Sequence, residues 1–438
     1  MNSMHEFFQE YTRTGPGTLA GEFLRRFWHP VCLSSDLRDL PYPVRMLSED
    51  LVAFRLPSGA TGLVGSRCPH RCTSLVYGQV RPHGLMCSYH GWAYDPKGNC
   101  TDQPLEPAHS TMKERVKILW YPTQEWAGVV WCYMGADKDA PPPLPKLDLL
   151  ARTDGEVVLE RTGDIRPYSY LNFMENFADM GHIFVMHMLA PAKVPPELRP
   201  YVDQTVDLNW RSVRHHVFET HFGMKSVLVH NTADEDLKFV NTWSLVMPST
   251  YRFGGITAGL PPDFTSDRRE SGGMLRIIDD THFEIIRFQL IRKGNFRVHF
   301  FPSSSDKSRG FSTTGLRGTV EKKEYDVREF AAWEGIPAVE DYVLQLSQGE
   351  VPPRDQEHLG QSDIGVALLR RVWRRAFEAI KNGEAPKLLQ PNDAGVLETD
   401  TFKGLVDQSE IVLGPDNMPD SRDGRGLIRD AKGELAFP

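Results

Sequence analysis

The chain has 438 residues, of which 40% are hydrophobic and 25% are charged, and its formal net charge at pH 7 is −8. This length allows two or three domains, or one large domain with an insertion. The acidic balance gives no support for nucleic acid as a partner, and no apolar run reaches the ~18 residues that span a bilayer, so no membrane partner is expected.

Residues 1–35 are predicted to form an N-terminal segment that packs on a later domain. The chain starts without the basic and apolar regions of a signal peptide, which favours the cytoplasm. Leu19, Phe23 and Phe27 recur at helical spacing. This spacing predicts a helix from Thr18 to Trp28.

Residues 36–140 are predicted to form an all-β domain, because runs typical of short strands alternate with Gly and Pro turns. Two loops in this block each place a cysteine shortly before a histidine, first Cys68 and His70, then Cys87 and His90. Two such loops can give two thiolates to one iron and two imidazoles to its neighbour, which is the ligand set of a Rieske [2Fe–2S] cluster. The sequence therefore predicts electron transfer.

A structural zinc site with two cysteines and two histidines is the alternative for these loops. Zinc fingers keep the two cysteines together and the two histidines together, whereas here the residue types are mixed within each loop. Gly91 and Trp92 follow His90 in the order found in Rieske loops. Cys72 has no cysteine to pair with in the second loop, and six scattered cysteines are not a disulfide framework.

Residues 150–390 are predicted to form a second domain, joined to the first by a stiff proline-rich linker at Asp139–Pro145. Long strand-like runs fill residues 156–302, and helical patterns return after residue 320. The clearest helix is Leu368–Ile380, which has an apolar stripe. Residues 391–438 form a polar tail without a clear pattern.

The second domain holds a second candidate metal site. Asn176, Asp179 and His182 step by three along one helix face, and His187 follows five residues later. Five residues turn a helix by about 500°, so both imidazoles can reach one metal only if the helix is interrupted, for which Gly181 and a π-bulge are the expected means. Alone, these are more often ordinary polar residues. Beside a Rieske motif, two histidines and a carboxylate indicate the facial triad of non-haem Fe(II) oxygenases.

With both sites in place, the chain resembles the large subunit of a Rieske non-haem iron oxygenase. The branch it resembles includes phthalate 4,5-dioxygenase and related aryl-carboxylate oxygenases and O-demethylases. The resemblance covers about residues 10–375. It rests on the two Cys/His loops, on Asp179-x2-His182-x4-His187, and on the stretches Thr12–Thr18, Arg25–Trp28, Asp279–His282 and Glu357–Asp363.

The resemblance implies an α+β fold, in which an all-β Rieske domain precedes a catalytic domain with a curved antiparallel sheet covered by helices. It implies that the cluster is held by Cys68, His70, Cys87 and His90, and a mononuclear Fe(II) by His182, His187 and Asp341. The family's carboxylate lies on a helix after the sheet, often after a Glu, which fits Glu340-Asp341. Asp355 and Asp363 are the competing positions.

In the family, the Asp that corresponds to Asp179 bridges a cluster histidine of one subunit and an iron histidine of the next, within a homotrimer. A helix-surface carboxylate is the alternative for Asp179. The chain has no nucleotide-binding glycine motif, so NADH electrons would arrive through a separate flavin/iron–sulfur reductase. With O2, the enzyme would then hydroxylate or O-demethylate an aromatic, aryl-carboxylate-like compound.

The substrate stays open at this stage. Phthalate-type members tend to carry an Arg in the strand that ends in Met-Pro, and here Asn241 falls near that place. Asn241 and Trp243 would suit a less charged aromatic ligand. A Rieske electron carrier or iron–sulfur sensor without oxygenation chemistry is the alternative function.

Overall fold

The computed structural model describes residues 10–162, 165–183, 186, 213–231, 236–254, 270–292, 337–386, 389–399, 401 and 403–407. Its α-helices are α1 Leu19–Leu24, α2 Met112–Arg115, α3 Tyr170–Ala178, α4 Pro337–Ser347 and α5 Ile364–Lys381. Among the residues that these ranges cover, no helix is long and apolar enough to cross a membrane.

The N-terminal segment packs on the last helix. Thr18 caps α1, because its Oγ1 accepts a hydrogen bond from the Gly21 N–H at 3.2 Å. The ring of Phe23 lies 4.9 Å from that of Phe377 on α5. The helix is shorter than the predicted Thr18–Trp28, because Trp28 begins a strand in which it pairs with Tyr133.

The first part of the chain contains three small antiparallel sheets. One contains β1 Trp28–Leu33, β11 Val129–Tyr133 and β10 Thr123–Trp126, in that order. The second contains β2 Tyr42–Met46, β3 Glu49–Arg55, β4 Thr61–Gly65 and β9 Trp120–Tyr121. The third contains β5 Gln79–Arg81, β6 Gly84–Met86, β7 Ala93–Tyr94 and β8 Cys100–Asp102.

A large antiparallel sheet dominates the rest of the chain. Its strands are β13 Gly155–Arg161, β14 Arg214–Thr220, β15 Gly223–Asn231, β16 Leu237–Val246, β17 Thr250–Gly254, β18 Glu270–Asp279 and β19 His282–Arg292. They lie in the order β13-β19-β18-β17-β16-β15-β14. The predicted α+β class, with an all-β first part and an antiparallel sheet covered by helices, is confirmed.

Two short strands follow α5, of which one forms a separate two-stranded sheet and the other joins the large sheet. β20 Val396–Leu397 pairs in parallel with β12 Lys146–Leu147, and β21 Lys403–Asp407 pairs with β16. Both strands fall in the segment 391–438, to which the sequence assigned no element. The predicted boundaries at 35, 140 and 390 stay predictions.

Helix α3 covers one face of the large sheet, which we call the inner face. On α3, Phe173 lies 5.4 Å from Tyr251 of β17, and Phe177 stacks on the same ring at 4.0 Å. The register places Trp243 opposite Phe253 and Leu245 opposite Tyr251, so these four side chains share the inner face. The end of α3 is therefore held directly above an aromatic surface.

A buried ion cluster holds α3 against the elements that follow the sheet. The carboxylate of Glu175 lies 2.9 Å from Arg354 and 2.7 Å from Arg370 of α5. Burial alone would raise the pKa of Glu175, but the two guanidinium groups outweigh it and lower the pKa. The charge pairing thus fixes the helix from which the second candidate metal site projects.

Candidate metal centres

The two cysteine loops, one between β4 and β5 and the other between β6 and β7, have matching backbone turns. The Cys72 N–H donates to the carbonyl of Cys68 at 2.9 Å, and the Gly91 N–H donates to that of Cys87 at 3.0 Å. Gly91 has a φ of +77°, and a Cβ there would lie 2.6 Å from Pro104. This position therefore requires glycine.

The imidazoles of the two loops meet at the surface. The rings of His70 and His90 lie 4.5 Å apart at 76°, and His70 stacks on Trp92 at 4.5 Å. Burial lowers the pKa of His90, and the charges of His70 and Arg71 lower it further. This favours the neutral imidazole, which is the form that binds a metal.

The two thiols are less exposed than these rings. Cys68 and Cys87 are both buried, with 1% and 2% of their surfaces exposed. Burial raises the pKa of Cys68, and the negative charge of Cys87 also raises it, whereas a hydrogen bond with the Tyr94 hydroxyl at 3.2 Å opposes the rise. A buried thiol pair under a half-exposed imidazole pair fits a cluster that takes sulfur on one iron and nitrogen on the other.

The second candidate site follows the end of α3. Asp179 leaves helical geometry with φ −83° and ψ 102°, and a new helical turn starts at Gly181. Ile183 and Met186 have π-helical hydrogen bonding. The helix is interrupted at Asp179 and Met180, before His182, whereas the predicted interruption between His182 and His187 stays a prediction, because His187 lies outside the described residues.

Asp341 on α4 lies beside the first of the predicted iron histidines. The Nε2 atom of His182 is 3.6 Å from Asp341 Oδ1, which also accepts a hydrogen bond from Asn176 Nδ2 at 3.2 Å. His187 lies outside the described residues. Within the described part of the chain, no group of three or more His, Cys, Asp or Glu side chains is arranged around one metal ion. The two described members present a nitrogen and an oxygen to the same point, which fits part of a facial triad.

Asp179 faces the other nitrogen of the same imidazole. Its Oδ1 accepts a hydrogen bond from the Gly181 N–H at 2.8 Å, and its Oδ2 lies 3.7 Å from His182 Nδ1. Burial would raise the pKa of Asp179, but the interactions with His182 and Gly181 outweigh it and lower the pKa. A carboxylate on the far nitrogen of a metal-binding histidine orients the ring.

Asp179 also lines a cavity of about 430 Å³. Asn176, Glu357, Leu359, Asp363 and Arg370 are among its lining residues. The Asp179 side chain is 31% exposed, and 48% of the Leu359 surface is exposed. Asp179 is thus partly accessible from outside the chain, as is Asn176, whereas Asn172 and Glu175 of α3 are buried.

Sequence reasoning did not find His215 on β14. Burial lowers its pKa to about 4, although the negative charge of Asp179 works in the opposite direction. Its Nε2 is buried without a hydrogen-bond partner. Only the pairing of β14 at the sheet edge brings His215 close to Asp179, and no spacing in the sequence reports that pairing.

Asn241 and Trp243, the two candidate substrate contacts, both lie on the inner face. Trp243 stacks on Phe253 at 5.3 Å and lies 5.7 Å from Phe177. Trp243 Nε1, Asn241 Oδ1 and Ser271 Oγ are buried without hydrogen-bond partners. Next to the His182–Asp341 pair, the inner face therefore offers flat apolar rings and unsatisfied polar atoms, as a site for an aromatic compound would.

Comparison with known proteins identifies both parts of the chain. A sequence model of the Rieske [2Fe-2S] domain matches residues 27–118. The alpha subunit of phenoxybenzoate dioxygenase from Ectopseudomonas oleovorans is 31% identical over 87% of this chain and 87% of its own length. The chain belongs to the Rieske oxygenases.

Two further relatives of this Rieske oxygenase are also named as oxygenase subunits. The 5,5'-dehydrodivanillate O-demethylase oxygenase subunit from Sphingobium is 30% identical over 86% of this chain and 81% of its own length. The phthalate 4,5-dioxygenase oxygenase subunit from Pseudomonas putida is 29% identical over 83% and 84%. The predicted family, and an oxygenase rather than an electron carrier, are confirmed.

A solved structure shows the same fold. NdmA from Pseudomonas putida CBB5, a QL mutant with caffeine, covers 84% of this chain and 94% of its own, with a TM-score of 0.58 and 20% identity. The Rieske domain supports a [2Fe–2S] cluster rather than zinc. The individual ligands, Asp179 included, stay predictions.

Proposed function

We propose that this Rieske oxygenase receives NADH electrons from a separate flavin/iron–sulfur reductase and uses O2 to hydroxylate or O-demethylate an aromatic compound in the cytoplasm. The 3.6 Å approach of His182 Nε2 to Asp341 Oδ1, directly above the aromatic inner face, is the observation that carries the proposal. When bound, the cluster and a mononuclear Fe(II) supply one-electron transfer and O2 activation.

Each metal group has its own residues in this proposal. Cys68, Cys87, His70 and His90 hold the cluster, and His182 and Asp341, with His187, hold the Fe(II). Asn176 keeps Asp341 turned towards His182 through its 3.2 Å hydrogen bond. Asp179 is a positioning residue, since it contacts His182 at the nitrogen that faces away from Asp341.

In this proposal, the aromatic inner face binds the substrate and excludes water. Phe177, Trp243 and Phe253 provide stacked rings against which a planar compound can lie. The names phenoxybenzoate and phthalate, carried by two relatives, support an aromatic acid as the substrate class.

We further propose a homotrimer in which the cluster of one subunit serves the iron site of the next. The half-exposed rings of His70 and His90 and the accessible carboxylate of Asp179 support this arrangement. In this arrangement the partly exposed imidazole pair of one subunit would face the cavity beside Asp179 on its neighbour.

Metal analysis of site variants tests the proposed function. We expect about three irons per chain in the parent protein, two in the cluster and one in the mononuclear site. Asp341→Ala should lose the mononuclear iron and product formation but keep the visible colour of the cluster, whereas Cys87→Ala should lose that colour.

Asp355→Ala and Asp363→Ala are the matched controls, since both remove a carboxylate that competed for the ligand role. Normal turnover by Asp341→Ala would remove Asp341 from the ligand set. A parent protein with two irons per chain would contradict the proposed mononuclear site, and zinc in place of iron would contradict the proposed cluster.

A further inference from the structure

A basic strip lies on the surface of the first part of the chain at residues 112–119. It contains α2 and the extended segment that leads into β9. Lys113, Arg115 and Lys117 are all exposed, and none of them forms an ion pair with another described residue. Glu114 is the one carboxylate of the strip, although the chain as a whole has a net charge of −8. The strip is therefore a local positive region on an acidic molecule.

Apolar side chains lie among these cations. The exposed fractions of Met112 and Leu119 are 40% and 41%. In the extended part of the strip, Lys117 and Leu119 are exposed while Ile118 between them is buried, because successive side chains of an extended segment point to opposite sides. A small apolar area among like charges suits a weak, transient protein partner of opposite charge.

The buried side of the basic strip packs on the predicted cluster cysteines. Ile118 belongs to the same hydrophobic core as Cys68 and Cys87, and Val116 packs against that core. The Ile118 N–H also donates to the carbonyl of Gly98 at 2.9 Å, in the turn between β7 and β8. The exposed cations of the strip thus lie over the core that contains the two predicted ligand thiols.

A short path of bonded contacts joins the basic strip to a cluster sulfur. The Cys100 N–H donates to the carbonyl of Val116 at 3.2 Å. Cys100 pairs with Tyr94 across β7 and β8, and the Tyr94 hydroxyl lies 3.2 Å from Cys68 Sγ. Electrons pass more readily through bonded contacts than across gaps between atoms. An electron that arrives at the strip can therefore reach the thiol end of the cluster.

We propose that the basic strip is the docking surface for the electron donor, and that this donor is an acidic [2Fe–2S] protein or domain of the plant ferredoxin type. The donor loses one electron and the cluster gains one, and no bond forms or breaks. Such donors have potentials of about −400 mV, below the range of about −150 to +300 mV for Rieske clusters, so the transfer is favourable. The inference rests on the proposed function, in which His70 and His90 face a neighbouring subunit and leave the thiol end for electron entry.

Stopped-flow reduction of the intact protein by a photoreduced plant-type [2Fe–2S] ferredoxin tests this proposal, with the absorbance of the Rieske cluster as the signal. The second-order rate constant of the parent should fall steeply between about 0.01 and 1 M salt, because the screening length shortens from about 30 to about 3 Å. Lys113→Glu combined with Lys117→Glu should lower the rate constant at low salt roughly tenfold or more, since electrostatic steering is lost.

Three controls separate docking from the cluster itself. Arg38→Glu reverses another exposed cation in the first part of the chain, outside the basic strip, and should keep the parent's rate constant. Photoreduced deazariboflavin, a small neutral reductant, should reduce the parent and all variants at the same rate, since it needs no docking surface. Carbodiimide cross-linking followed by mass spectrometry should join carboxylates of the ferredoxin to Lys113 and Lys117 of the parent.

Any of three results would overturn the assignment. The first is a parent whose reduction by the ferredoxin does not depend on salt. The second is a Lys113→Glu, Lys117→Glu variant that the ferredoxin reduces at the parent's rate, and the third is cross-linking confined to lysines outside the basic strip. Iron content and cluster absorbance are measured on the same samples, so a parent without a cluster would count against the proposed function and not against the docking surface.

Discussion

The Tyr94 hydroxyl bonds directly to a predicted cluster sulfur, at 3.2 Å from Cys68 Sγ. Burial raises the pKa of Tyr94, and the bond to Cys68 raises it further, so the hydroxyl stays protonated as a donor. Hydrogen bonds to cluster sulfurs favour the reduced state, because that state carries more negative charge. We therefore expect Tyr94 to affect the driving force for electron transfer.

Replacing Tyr94 with Phe should lower the reduction potential of the cluster. The expected change is roughly 40 mV, which corresponds to one ordinary hydrogen bond of ~1 kcal/mol in a one-electron couple. A redox titration followed by the cluster's absorbance measures it. Tyr77→Phe, which removes a hydroxyl from a 78% exposed ring of the same domain, is the control and should leave the potential unchanged. A Tyr94→Phe protein with the parent's reduction potential would show that this hydrogen bond does not affect the potential of the cluster.

At the residue scale, the spacing of residues along the sequence was enough to predict features that local backbone turns form. Cys68 and Cys87 each accept a turn-closing hydrogen bond from a residue four positions later, so both loops could be read from short motifs. Ser271 gave no such pattern. It meets the aromatic rings only through the register of three strands, which depends on pairings that a single sequence does not specify.

At the scale of elements, α3 determines where the second site lies. Its aromatic residues fix the helix on the sheet, and Glu175 ties it to Arg354 and Arg370. Removing one partner of a buried ion pair leaves an uncompensated charge in the core. The position of Asp179 and His182 therefore depends on a charge cluster one turn before them.

Glu175→Gln should destabilise the fold by roughly 3–5 kcal/mol, because two arginines lose their shared carboxylate. Since folding lowers the pKa of Glu175, its contribution is fully present above the unfolded pKa of ~4.3 and is lost as the pH falls below it. Urea denaturation of parent and variant at pH 7 and at pH 4 measures both effects.

Glu357→Gln is the matched control, because Glu357 also pairs with Arg370 but its side chain is 28% exposed. This substitution should lower the free energy of unfolding by less than about 1 kcal/mol. A Glu175→Gln protein as stable as the control would mean that the buried arginines find other partners, and α3 would not depend on this cluster.

The bounds of an element were predictable where the apolar face of one helix sets them. They were less predictable where a neighbouring strand includes the same residues. The stripe at Leu368–Ile380 lies within α5, whose first turn begins at Ile364. The predicted helix up to Trp28 was too long, because β1 takes over that residue. β20 and β21 gave no pattern, since each is short and takes its pairing from a strand far away in the chain.

At the scale of the whole molecule, the first domain is bonded to the sheet of the second. The Leu47 and Ser48 N–H groups donate to the carbonyls of Ile277 and Ile278 on β18, at 3.1 and 2.9 Å. Thr14 donates to Asp280 at 2.7 Å in the next turn. These contacts hold the part of the chain with the cysteine loops in a fixed place on the large sheet. The proposed electron transfer to a neighbouring subunit would therefore need no domain motion.

The proposed trimer makes Asp179 the residue on which transfer between subunits depends. Asp179→Asn keeps a carbonyl oxygen that can accept the Gly181 N–H, but it loses the charge that faces His182 Nδ1. Both metal groups should stay bound, and the reductase should still reduce the cluster. Onward transfer should slow by roughly 10–100-fold or more, because loss of such a carboxylate misorients the histidine ring.

Stopped-flow reoxidation of the reduced cluster by O2, with substrate present, measures this step, and size-exclusion chromatography with light scattering reports the trimer. Asp363→Asn is the control, because Asp363 lines the same cavity but bonds to its own loop at the Gly360 N–H. It should reoxidise at the parent's rate. If Asp179→Asn also reoxidises at that rate and forms product, Asp179 is a surface carboxylate. The cavity beside it would then not receive a neighbour's cluster, and the path between the metals would have to run elsewhere.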